Sequence, residues 1–456
     1  MERNECMKII ILRKALIGAV IASFLVSAYA SAQNTQGLSY LDYPLPPPDQ
    51  QGPPSNREII KTTAVYTQNG KNITKKDQAI RAYDTNQSGV KVTDGGILTL
   101  KDSTIATTGV TTSDENSNFY GLNAAILAES GSKIKIKNST VSTSGNGANA
   151  IFATGAGSMV TVENAKIKTT ADSSRGLDAT LTGIVIANNV DISTQGTHSA
   201  AIATDRGNGT IIVTGGIMRT SGMDSPGIYS TGDITVTDAK ISASGSEAAV
   251  VEGKNSIYLR NTVLVGTKKR GVMLYQSFSG DAEVGISRFI MNEGSLSAGD
   301  GPLFYATNTD TAIYLKGVDL TTASGILLEV GAGNWGIQGA NGAVVDFKAE
   351  KQILKGNIIC DGISTINVGL QNFSMLEGSI NQENAAKSAA LTLDLTSRWI
   401  VTGNSYLTSL INRDTTLSNI EDNGFTIYYD AAHSANNWLE NKTYQLKDGG
   451  ILTPKI

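Results

Sequence analysis

The sequence predicts an all-β chain wound as a single-stranded parallel β-helix, a β-solenoid of about a dozen coils with a C-terminal cap. Three observations carry this. A short alternating line recurs at near-constant spacing, small and hydroxylated residues dominate, and proline almost vanishes after residue 54. An uninterrupted sheet tolerates proline only at edges and turns, so its scarcity is informative.

Composition agrees. The 456 residues include 48 glycines, with 6% aromatic and 17% charged residues, which suits short strands and tight turns better than helices. A chain of this length ordinarily divides into several domains, whereas a solenoid builds one. The formal charge of −4 supplies no broad basic field, which argues against nucleic acid as a partner.

Residues 1–32 read as a signal peptide. Lys8, Arg13 and Lys14 form the basic end, "ALIGAVIASFLVSAYA" the apolar run, and Ala30-Ser31-Ala32 the small-residue cleavage site. Either Met1 or Met7 is the start. The run is too short for a stable membrane span, so no transmembrane span is expected once the signal is removed. Export across the inner membrane follows, with the cell surface, the outer membrane, the medium or the periplasm as destination. Cys6 lies in the signal, so Cys360 is left alone, without an intrachain disulfide, and is expected as a small buried hydrophobe. Residues 33–60 contain "YPLPPPDQQGPP", with six of the nine prolines, and are expected to form an extended arm or linker.

The β-helix is expected over 61–411. Its best-marked line appears as "LTLKDSTIATTG", "IKIKNSTVSTSG", "VTVENAKIKTT", "ITVTDAKISASG" and "IYLRNTVLVGT". Counting on Asp102, Asn138, Asn164, Asn189, Gly215, Asp238 and Asn261 gives spacings of 36, 26, 25, 26, 23 and 23, the first lengthened by the insertion "TTSDENSNFYGLN". Alternation turns pairs such as Leu98 and Leu100, or Val160 and Val162, inward. Asn or Gly at the counted position suits a left-handed bend, and stacked asparagines there hydrogen-bond from coil to coil. A second line, seen in "GLNAAILA" and "GANAIFAT", is expected to point Ile126, Ile151, Ala179, Ile202, Ile228, Val250 and Met273 inward. Residues 412–456 lose the period but carry Trp438, Tyr444 and Leu446, and read as a cap over exposed core and unpaired strand edges.

Catalytic patterns are sparse. The sequence has no Asp-Asp pair and no Gly-His-Gly, and His198 and His433 are its two histidines. "NTD" at 308–310 reads as a turn, and no run has the oxygen-ligand density that calcium requires. No catalytic residue, metal site or cofactor is therefore expected. Arg175, His198, Asp224, Glu247 and Arg270 recur at coil spacing and form a candidate binding stripe on one lateral face, although solvated turn residues would show the same pattern. Tyr229 and Tyr305, beside inward positions, are candidate sugar platforms.

"LTLDLTSRWIVTGNSYLTSLI" closes the regular coils, through Leu391, Leu393, Leu395, Trp399, Val401, Gly403, Ser405, Leu407 and Leu410. This stretch resembles the last rungs of pertactin-like autotransporter passenger domains. The resemblance implies a right-handed parallel β-helix displayed on a Gram-negative surface, frequently as an adhesin, with its last rungs as a folding nucleus. A translocator barrel needs at least eight strands of about ten residues, more than the 45 residues after Ile411. A passenger lacking its C-terminal translocator barrel is expected, with a separate outer-membrane translocator as candidate partner.

The expected function is that of an exported, non-enzymatic, passenger-like β-helix. It presents a lateral surface for adhesion or structural interaction at the cell envelope, toward a glycan or cell-surface protein. The alternative is a polysaccharide lyase or glycoside hydrolase acting on an acidic polysaccharide.

Overall fold

Alternating apolar and polar residues send every second side chain to a common interior. In the computed structural model, which describes residues 59–455, one apolar core runs from Ile80 to Leu452. The expected signal peptide, and the proline-rich arm up to residue 58, lie outside the described residues.

The first coil comprises Thr63–Asn69, Asn72–Lys76 and Ala79–Ala82, and the next, Gln87–Thr93, Ile97–Lys101 and Thr104–Thr107, stacks on it in parallel. The stack is a parallel β-solenoid of about 16 turns, more than the dozen expected. Parallel stacking continues beyond residue 411: Ile420–Glu421 pairs with Arg398–Ile400, Thr426–Tyr429 with Ser405–Leu407, and Ile451–Pro454 with Thr426–Tyr429. These late strands are too short for periodicity to reveal them. Within this region Ser434–Leu439 forms a 3₁₀ helix. Asn436 accepts from the Leu410 N–H at 2.8 Å and the Trp438 indole donates to the Leu410 carbonyl at 2.9 Å. Both polar groups of an edge residue are thereby satisfied.

The first face holds twelve strands, from Thr63–Asn69 to Asn357–Cys360. Its inward ladder is Ile126, Ile151, Leu177, Ile202, Ile228, Ala249 and Val272. Ala179 is also buried, two residues further along, but Val250 and Met273 turn outward. A slip of one residue reverses the face, and in "EAAVVEG" and "RGVMLYQ" consecutive apolar residues leave alternation unable to fix the register.

Asparagine stacking follows the counted positions. Asn138 donates to Asp102 at 3.3 Å, Asn164 to Asn138 at 3.4 Å, Asn189 to Asn164 at 2.8 Å and Asn261 to Asp238 at 2.8 Å. All have φ between 46° and 55°, the left-handed bend that Asn and Asp tolerate best. Cys360 is buried, and burial with the neighbouring Asp361 pushes its thiol up to about 12, far from nucleophilic thiolate chemistry. Among the described residues no helix is long and apolar enough to cross a membrane.

Candidate functional site

Outward positions of the first face form a second column: Phe152, Asp178, Ala203, Tyr229, Val250, Met273 and Tyr305 are successive partners in register. Along it runs a groove of about 880 Å³. Asp114, Asn118 and Phe119 line it from helix α1 (Asp114–Tyr120), which the 111–123 insertion supplies. The segment containing Gly333 and Trp335 also lines it. Ser113 caps α1 by accepting from the Asn116 N–H. Gly333 permits close approach on the other side, since a Cβ there would lie 2.6 Å from the Tyr305 hydroxyl oxygen.

The turn preceding this face is fixed by a hydroxyl ladder. The Ser174 N–H donates to Ser199 Oγ and the Ser199 N–H to Ser225 Oγ, each at 2.9 Å. Arg175, His198 and Asp224 adjoin these serines, and Glu247 and Arg270 belong to the coils that follow. All five line the groove, but in two rows. Arg175, Glu247 and Arg270 each stand two residues before the inward ladder, whereas His198 and Asp224 occupy turn positions with φ of 53°.

Their contacts divide the stripe further. Arg270 bonds Glu247 at 3.1 Å and lies 4.1 Å over the Tyr305 ring. Lys269 pairs with Asp224 and approaches Glu247 at 4.0 Å, and His198 lies 3.9 Å from Asp224. Arg175 belongs to a different cluster: its Nε is 2.9 Å from Asp205 Oδ2, and another nitrogen donates to Asn118.

Sequence reasoning missed that cluster. Asp178 is fully buried next to Asp205, and neither of its oxygens accepts a hydrogen bond. Burial first, and the Asp205 charge second, raise its pKa well above the carboxylate range against the opposing pull of Arg175. These surroundings favour the protonated form of Asp178. Further along, buried Glu252 accepts from Tyr229, from Tyr275 at 2.9 Å, from Ser277 and from Ser279 at 3.3 Å. Burial, with the Glu252 charge, pushes both phenols well above their usual range. Asp281 receives Arg206 Nε at 3.0 Å and Nη2 at 2.6 Å, while that guanidinium stacks 3.6 Å from the Phe119 ring centroid. Burial raises the Asp281 pKa despite Arg206. Trp335 leans on Tyr275, with centroids 5.3 Å apart.

Asp178, Asp205, Glu252, Tyr275, Asp281 and Trp335 were missed because no short spacing connects them. A signal did exist: Asp205 and Glu252 close the second line in "HSAAIATD" and "EAAVVEG" at equivalent positions. Among the described residues no group of three or more His, Cys, Asp or Glu is placed to hold a metal ion. No protein-family model, curated protein or solved structure matches this chain.

Proposed function

We propose that this chain is an exported β-solenoid whose lateral groove binds a neutral glycan, giving it an adhesive or structural role at the cell envelope. Export is supported by the signal-peptide pattern of residues 1–32. The glycan reading is carried by one observation: aromatic side chains and already matched charges line the same long groove. Trp335, exposed beside Tyr275, offers a ring face for the apolar side of a sugar, and surrounding polar groups suit its hydroxyls.

Charge selects the class of glycan. Asp114, Asp205, Asp224, Glu247 and Asp281 line the groove against Arg175, Lys269 and Arg270. Each of these three cations already pairs with a carboxylate. A uronate chain would therefore meet like charge without a free cation, which weighs against the acidic polysaccharide of the alternative reading.

Glycan arrays followed by calorimetry on the mature chain test this. Neutral oligosaccharides are expected to bind, polygalacturonate is not, and Trp335→Ala should weaken binding at least about tenfold, or about 1.4 kcal/mol. Failure of every neutral glycan to bind, or preference for the uronate, would reject the reading.

A further inference from the structure

The net charge of the chain hides an uneven distribution. Residues 59–170 carry twelve Lys or Arg against eight Asp or Glu, whereas residues 171–455 carry 20 against 28. Much of the early excess collects on a sheet other than the twelve-stranded one that bears the groove. In the strand Lys133–Lys137, "KIKIK", Ile134 and Ile136 enter the core while Lys133, Lys135 and Lys137 point outward. Lys76, Lys101 and Lys137 are successive partners in register, so three like charges stack on strands about 4.8 Å apart. Lys166 and Lys168 add two exposed cations beyond the bend at Asn164.

Like charges directly opposite in a sheet repel and oppose folding. Compensation within the chain is partial. Lys76 lies 3.7 Å from Asp77 and 3.8 Å from Asp102, and Lys137 lies 2.7 Å from Glu163. Among the described residues Lys101, Lys133, Lys135, Lys166 and Lys168 form no salt bridge. Lys135 is flanked in register by Thr99 and Thr161, and Lys166 and Lys168 adjoin Thr140 and Ser142. The four strands Asn72–Lys76, Ile97–Lys101, Lys133–Lys137 and Met159–Thr169 contain no aromatic residue. They therefore lack both the platforms on which nucleic-acid bases stack and the aromatic anchors that dominate protein interfaces.

We propose that this lysine face docks the solenoid on a phosphate-bearing lipid surface, an interaction separate from the groove and independent of its glycan. Anionic headgroups supply the counter-charge that the stacked lysines lack, and the neighbouring hydroxyls suit phosphate oxygens. The partner is a surface because the lysines stand on an open sheet face, without walls to fix the path of a single free chain. Lysine also fits this role better than arginine, since a compact charge on a flexible stem follows mobile headgroups without needing one planar geometry. The acidic remainder of the chain is repelled by the same surface, so contact is confined to the early coils.

The test is co-sedimentation of the mature chain with vesicles of phosphatidylcholine, alone or with about one-third phosphatidylglycerol. Binding is expected only to the anionic vesicles and should weaken as salt is added. Each lysine removed should cost about fivefold in affinity, so Lys101→Gln, Lys133→Gln and Lys135→Gln combined should lose about 100-fold. Removing three lysines from later coils, by Lys254→Gln, Lys355→Gln and Lys447→Gln, should leave binding within about threefold. Circular dichroism checks folding, and if the first triple variant fails to fold, the fivefold loss expected of Lys135→Gln alone decides. Equal binding to neutral vesicles, insensitivity to salt, or an equal loss in the later-coil variant would overturn the proposal. Polygalacturonate and a DNA duplex serve as soluble polyanions, and binding either of them as tightly as the anionic vesicles would overturn the lipid assignment. None of these outcomes bears on the glycan reading, which is read from Trp335.

Discussion

Trp399→Ala destabilises the C-terminal coils by about 3–5 kcal/mol, the range for truncating a large aromatic in a packed core. Trp399 is fully buried, pairs in register with Leu376 and Ile420, and donates its indole N–H to the Gly378 carbonyl at 2.9 Å. Alanine leaves both a cavity and an unpaired buried carbonyl. Solenoid coils contact only their neighbours, so the loss stays local. Hydrogen exchange should accelerate around residues 370–421 and remain unchanged around Ile126–Leu177. Uniform loss of protection, or none, would contradict this assignment of Trp399 to the closing coils.

Asp178→Asn makes stability less dependent on pH. Folding raises the pKa of Asp178, so the folded chain keeps a proton that the unfolded chain releases above about pH 4. The favourable contribution of that proton is complete below the unfolded pKa. It is lost as pH rises toward the folded pKa, by up to about 1.4 kcal/mol for each pH unit. Asparagine keeps the shape without ionising. The variant should therefore gain on the unaltered chain steadily from acid to neutral pH in denaturant titrations, and parallel pH profiles would show that Asp178 is ionised in the folded state.

The solenoid was legible because its physics is local. Leu98 and Leu100, or Ile134 and Ile136, alternate strictly, and the positions of Asn138, Asn164 and Asn189 each require the same bend. Register failed where that constraint lapsed, at Val250 and Met273, whose neighbours are equally apolar. The five stripe residues were found because turn positions recur with the coil, and stacking does bring them to one groove. The chemistry beside them was not legible. Asp178 and Asp205 meet only because two coils stack, and Glu252 gathers Tyr229 from the coil before it and Tyr275 from the coil after it. Trp335 and Asp281 arrive on loops whose paths no periodicity describes.

The central claim is that this lateral groove is the glycan site, and Trp335 reports on it directly. Trp335 is 41% exposed beside Tyr275, while Trp399 is fully buried. Titration of the mature chain with the neutral oligosaccharide that binds best, followed by tryptophan emission, is predicted to give a saturable change. That change should disappear in Trp335→Ala together with most of the binding. Saturable binding that leaves the emission unchanged, or that survives intact in Trp335→Ala, would contradict the groove assignment.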